Sequence, residues 1–143
     1  MQPPPIATLY LKTEVLVDED GELVPIQRSQ LLASGAVHVI TAWNPGDQRP
    51  TGQVNRAANQ ELFEQLVTHG LKPVRAVGQD PDSSHAEESW AVSDATDDIA
   101  RELGAQFGQV AVFRITTGSQ TVLACEEDWQ LARPDCMRGF DGG

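Results

Sequence analysis

The sequence predicts an α+β fold: a single mainly antiparallel sheet with two or three helices packed chiefly on one face. Three observations carry that expectation. Short β-branched and apolar runs, bounded by Gly, Pro, Asp and Ser, come in neighbouring pairs, as hairpins do. Amphipathic stretches fall between those pairs, giving the order β-β-α-β-α-β-β-α-β-β. A chain of 143 residues that is 40% hydrophobic suits one domain with its own core.

In chain order, residues 1–5 hold three prolines and form a flexible arm. Residues 7–17 (ATLYLKTEVLV) read as a strand, with a helical start near Leu9. Asp18, Glu19, Asp20 and Gly21 supply a turn, and 22–26 return as the hairpin partner. Ser29 caps a short helix over 30–33 that Gly35 ends. Val37, Val39 and Ile40 then form a buried strand that stops before Pro45. Thr51 caps a helix over 53–69, with Val54, Ala58, Leu62 and Leu66 as its core stripe, Phe63 and Val67 beside it, and Gly70 as its closing residue. The connection through this helix leaves room for one parallel strand pair.

Residues 73–77 read as a strand, 79–86 (QDPDSSHA) as a surface loop and 89–92 as the returning strand. Ser93 or Asp94 caps the next helix, Asp97 and Asp98 favour its first turn, and Ile99, Ala100 and Leu103 form its apolar side. Residues 109–116 (QVAVFRIT) give the clearest strand, turned at Thr117, Gly118 and Ser119 into 120–125. The domain therefore spans 6–125. Residues 126–143 lack a sustained period and read as an irregular tail whose Trp129 and Leu131 dock on the body.

The formal charge is −11, from 21 acids and 10 bases. That disfavours a broad nucleic-acid surface, which needs a basic patch. It leaves room for a local basic pocket and suits a basic protein partner. No apolar run is long enough to span a bilayer and the N-terminus is not a signal peptide, so a cytoplasmic location without membrane attachment is expected. Cys125 and Cys136 make neither a disulfide framework nor a zinc pair. His38, His69 and His85 are scattered without ligand spacing, so no metal site is assigned. His85, beside Glu87 and Glu88, is the one place where a weak metal site is conceivable. The phosphate-binding glycine loops and the nucleophile elbow are missing from the sequence, and no cofactor is assigned. Glu87 and Glu88 are neighbours, so on a strand they face opposite ways.

What remains is a polar set: Thr41, Asn44, Asn55, Asn59, Glu87, Ser89 and Gln109, with Trp43 and Tyr10 as stacking candidates. Asparagine is a mediocre helix former, so Asn55 and Asn59, one turn apart on one face, ask for a reason. They present amides to a ligand beside the helix N-terminus, or they anchor a neighbouring loop. Amides and hydroxyls recognise heterocycles and sugars well but catalyse little without a titrating partner.

The string Ile40-Thr41-Ala42-Trp43-Asn44-Pro45, followed by Asn55 and a leucine-rich helix, resembles the signature of DUF3293, a bacterial family of unknown function. Tyr10 and Thr13 resemble its early Tyr-x-x-Thr. Glu87 and Ser89 resemble its Glu-Pro-Ser, with Glu88 in place of proline. Phe107-Gly108-Gln109 and Ala111-Val112-Phe113 resemble its Phe-Gly-Gln segment. The likeness covers about residues 6–125 and implies domain limits rather than an activity.

Three functions are expected from these residues. The first is recognition of a small-molecule or nucleotide-like ligand at the 42–44 turn and the N-terminal part of the 53–69 helix. The second is an acidic interaction or inhibitor module that covers a basic protein surface. The third is an enzyme that uses Glu87 as acid or base.

Overall fold

The computed structural model describes residues 10, 12–43, 50–80 and 86–133. The strands are β1 (Glu14–Glu19), β2 (Glu22–Pro25), β3 (Val37–Ile40), β4 (Val74–Gln79), β5 (Ala86–Ser93), β6 (Ala111–Thr116), β7 (Ser119–Ala124) and β8 (Gln130–Arg133). The helices are α1 (Gly52–Thr68) and α2 (Asp97–Gln106). All eight strands join one sheet in the order β2-β1-β4-β5-β3-β6-β7-β8, and every pairing is antiparallel. The predicted α+β class is therefore observed. The parallel pair does not form, because β5 lies between β3 and β4 and bonds to both.

All four residues of β3 are buried, and they divide the interior. Val37 and Val39 join a cluster with Ala76, Ala91, Phe113, Ile115 and Val122. Ile40 joins a second cluster with Leu62, Leu66, Ala100 and Leu103 from the two helices. The alternation of a strand thus assigns one face to the helices and the other to Ile26, Leu32 and Tyr10.

Local signals account for most boundaries. Thr51 Oγ1 accepts from Val54 N at 3.2 Å, as expected of a cap. Gly70 has φ +79, and Leu71 N reaches back to Leu66 O at 3.1 Å, the closing motif predicted there. Four expectations change. The cap of α2 is Thr96, whose Oγ1 accepts from Ile99 N at 3.1 Å. The segment Gln30–Ser34, capped by Ser29, is a 3-10 helix, a common form for one short turn. Residues 130–133 of the tail form β8 against β7; four residues with one large apolar side chain are too few for a period, and buried Trp129 anchors them.

The fourth change concerns α1. Its buried line is Asn55, Asn59, Leu62 and Leu66, whereas Val54 and Val67 are 55% and 49% exposed. The helix is rotated so that the asparagines, not the valine, face the sheet. The Asn59 amide accepts from Ala42 N, which offsets the burial of that polar group.

Two contacts lock α2 onto the sheet. His38 Nε2 and Asp97 Oδ1 lie 2.7 Å apart, and Arg114 Nη1 donates to Asp97 Oδ2. Burial raises the Asp97 pKa, but the His38 hydrogen bond and the Arg114 charge outweigh it and hold the carboxyl below its ordinary value. Its contribution to stability is therefore present above the unfolded carboxylate value of about 3.9 and fades as pH falls through the folded value. Further along, a Cβ on Gly104 would stand 2.5 Å from Cys125 Sγ and 2.7 Å from Val112 Cγ1, so the helix lies flush on the strands there.

Asp97→Ala, which leaves His38 and Arg114 without their acceptor, is expected to cost roughly 1–3 kcal/mol in urea unfolding at neutral pH, with the loss shrinking below about pH 4. Gly104→Ala is expected to destabilise by roughly 1–3 kcal/mol through overpacking, despite alanine's helix preference of about 1 kcal/mol. A neutral or stabilising result would show that α2 sits less tightly than described.

Candidate functional site

Two hollows lie on opposite faces of the β4–β5–β3 region. The first, on the helix face, is bounded by Trp43 beyond β3, by Arg56, Asn59 and Gln60 of α1, and by Arg75, Glu88 and Trp90 of the sheet, with Ser89 at its border. It holds about 290 Å³. Trp90 lies against Phe63 with ring centroids 4.9 Å apart, and its Nε1 donates to the Asn59 carbonyl at 2.9 Å. The Asn59 side chain accepts from Ala42 N at 3.2 Å. One asparagine thus holds the end of β3 through its amide and the indole through its backbone.

In the register β4 pairs Arg75 with Trp90 and Val77 with Glu88, which puts Arg75 diagonal to Glu88 on one face. Arg75 Nε and Nη2 donate to Glu88 Oε2 and Oε1 at 3.2 and 2.9 Å. The Glu88 hydrogen bond and charge hold the guanidinium above its usual pKa, against a smaller effect of burial. Exposed Arg56 has no ion pair with another described residue.

The second hollow, on the opposite face, is a cavity of about 100 Å³. Tyr10, Thr13, Thr41, Glu87 and Ser89 line it together with Gly78, Gln79 and Asp80, and Val39, Ala111 and Phe113 add apolar lining. Thr41 Oγ1 donates to Glu88 O at 2.7 Å and accepts from Trp43 N at 3.0 Å. Ser89 Oγ donates to Glu87 O at 3.2 Å. Tyr10 meets Phe113 edge-on, with centroids 6.1 Å apart. Burial, then the nearby Glu87 charge and Cys125, push its phenol up to about 12.

The predicted polar set is therefore divided. Thr41, Glu87 and Ser89 gather with Tyr10 at the cavity; Trp43 and Asn59 stand at the helix-face hollow, which Ser89 also borders. Asn55 is buried on α1 and lines neither. Gln109 is buried, and its Nε2 donates to Trp43 O at 3.3 Å, tying the turn after β3 to the end of α2. Asn44, like His85 and Cys136, lies outside the described residues. Arg56, Gln60, Arg75 and Glu88 were not singled out from sequence. Glu88 was legible in part, since its neighbour Glu87 had to face the other way.

The helix-face hollow is thus lined by tryptophans and arginines, and the cavity by acidic and hydroxyl-bearing residues with a phenol. Burial, then the Glu126 charge, push the Cys125 thiol up to about 12, despite the opposing Arg101 charge, so its thiolate is scarce at neutral pH. No group of three metal-ligating side chains occurs among the described residues. No helix among them is long and apolar enough to cross a membrane.

The profile of a family described as "Protein of unknown function (DUF3293)" matches residues 40–112, just over half of the chain. That stretch carries the last residue of β3, all of α1, β4, β5 and α2, and the first two residues of β6, hence the helix-face hollow and the Thr41, Glu87 and Ser89 side of the cavity. No curated protein and no solved structure matches the chain.

Tyr10 is the chain's single tyrosine, so alkaline absorbance near 295 nm reports it alone. The folded protein is expected to titrate near 12, against about 10 in denaturant. Stability from the neutral phenol is fully present below pH 10 and is lost as pH rises toward 12. A folded midpoint near 10 would place the phenol in solvent.

Proposed function

The chain belongs to the DUF3293 family, and on that premise we propose that it is a binding domain whose helix-face hollow takes a small ligand with a flat ring and an anionic group. A nucleotide-like molecule has that chemistry. The observation that carries this reading is the pairing of two indoles with two guanidinium groups around one opening in a chain of net charge −11. Indole faces stack on planar rings, and arginine meets anions with a rigid fork of donors. The volume of about 290 Å³ lies near the lower end of small-molecule sites, so a mononucleotide would project partly into solvent. Glu88 has a role here too. It orients Arg75 in the unliganded protein and opposes a bare anion, which favours a ligand that engages Arg56 first.

The sequence-level expectation of a site at the 42–44 turn and the N-terminal half of α1 is kept in place and changed in content. The asparagine amide is a scaffold in this reading, and the recognising groups are Trp43, Trp90, Arg56 and Arg75. A polar and aromatic set without a poised acid, base or nucleophile supports binding rather than turnover.

Thermal shift with nucleoside monophosphates, with nucleosides and with inorganic phosphate tests this. The monophosphates are expected to raise Tm by several degrees, since a ligand at 100 times its Kd stabilises by about 2.7 kcal/mol. Nucleosides or phosphate alone should do much less. Arg56→Ala and Trp43→Ala are each expected to abolish most of the shift while folding normally. Equal shifts in Arg56→Ala, or none with any ring-bearing anion, would remove the proposal.

A further inference from the structure

Resting on the binding reading just given, we infer that the helix-face hollow selects a nucleotide whose phosphate is a singly charged diester, namely a cyclic mononucleotide. Three features of the opening make that choice: one arginine fork without an ion-pair partner, one carboxylate in the same opening, and a small volume.

The charged groups that line the hollow are the guanidiniums of Arg56 and Arg75 and the carboxylate of Glu88. Arg75 is already engaged, since its Nε and Nη2 donate to Glu88 Oε2 and Oε1 at 3.2 and 2.9 Å. The Asp18 charge reaches it too. Arg56 has no ion pair with another described residue. A Cβ on Gly52 would stand 3.1 Å from Arg56 Nη1, so this guanidinium rests against bare backbone at the start of α1. Two cations against one carboxylate leave a single excess positive charge, in a chain of net charge −11. Attraction to that excess grows in proportion to the ligand's charge, whereas the cost of stripping water from the ligand grows as its square. A monoanion is therefore the best complement.

A phosphodiester is a monoanion whose charge is shared by two non-bridging oxygens. One arginine fork meets both in parallel hydrogen bonds. A phosphomonoester carries about −1.5 to −2 charge at neutral pH and three acceptor oxygens. One fork leaves its third oxygen outside the pair, and Glu88 opposes the added charge. Di- and triphosphates add more charge against the same carboxylate. The volume of about 290 Å³ favours the cyclic form, because ring closure through the phosphate leaves no swinging arm to immobilise. A nucleic acid strand also presents diesters, but the chain's net negative charge disfavours it.

Isothermal titration calorimetry of the full chain in low salt tests this with four probes: cyclic AMP, AMP, ATP and the dinucleoside monophosphate ApA, each also in its guanine form. Near pH 7.5 the cyclic nucleotide is expected to bind roughly threefold to fivefold tighter than the monophosphate, the scale of an exposed charge contact, with ATP and ApA weaker still. Near pH 5.5 the monophosphate loses much of its second charge, since that ionisation lies at about 6, and its affinity should approach that of the cyclic nucleotide. The cyclic nucleotide is monoanionic at both pH values and controls for titration of the protein. Glu88→Gln is expected to bring the monophosphate level with the cyclic nucleotide at pH 7.5; the pH comparison needs no variant and decides the matter should Glu88→Gln unfold. If the monophosphate or ApA binds at least as tightly as the cyclic nucleotide at pH 7.5, and Arg56→Ala still abolishes binding, this inference fails while the ring-and-anion reading stands. Absence of binding by every probe would remove both.

Discussion

The fixed register of β3 between β5 and β6 is the constraint on which the remaining structure rests. A strand with both faces buried has no solvent side to absorb an error, and slipping it by one residue would exchange its two sets of side chains. Val37 and Val39 would turn toward the helices, and His38 would be carried away from Asp97. The same register places Thr41 on one face and Ala42 on the other. It thereby decides which hydroxyl meets the cavity and which backbone N–H the Asn59 amide receives. The His38–Asp97–Arg114 contact fastens this arrangement from above, because it joins two sheet strands to the first turn of α2.

Much of the fold was legible in the sequence because hairpin turns and helix ends are local chemistry. Thr51, Gly70 and the Thr117-Gly118-Ser119 turn declare themselves through conformations that their neighbours need. The failures share a different cause. β8 is four residues long and is stabilised by pairing and by one tryptophan, neither of which leaves a periodic trace. Thr96 was passed over as a cap because Ser93 and Asp94 offered the same chemistry a turn earlier. The rotation of α1 was hidden because its apolar stripe, Val54-Ala58-Leu62-Leu66, and its buried line, Asn55-Asn59-Leu62-Leu66, coincide in their second half. Hydrophobic spacing selects the valine; a main-chain N–H waiting at Ala42 selects the asparagine.

The candidate site was legible in its ingredients and not in its assembly. Residue types pointed to Thr41, Asn59, Glu87, Ser89 and Trp43, but a sequence does not say which face of a sheet each will reach until the register is known. The described polar set is divided: part of it lines two hollows separated by a single layer of strands, while Asn55 lines neither and Gln109 stands apart beside Gly108 and Trp129. The amides expected to recognise a ligand hold backbone in place, as Asn59 and Gln109 do. The arginines, inconspicuous in an acidic chain, stand at the opening. Arg75 became significant only through its diagonal position to Glu88 across β4 and β5.

The two outermost strands carry a consequence for the molecule's behaviour at high concentration. β2 and β8 are each four residues long, and β2 ends at Pro25. At β2 an intruding chain would find only a brief ladder before a position that has no N–H to donate. Glu22 adds a like charge for any second copy of this acidic protein approaching at β2. Among the described residues the sheet is thus wide inside and short at its rims, and open-ended growth through main-chain pairing is resisted most at β2.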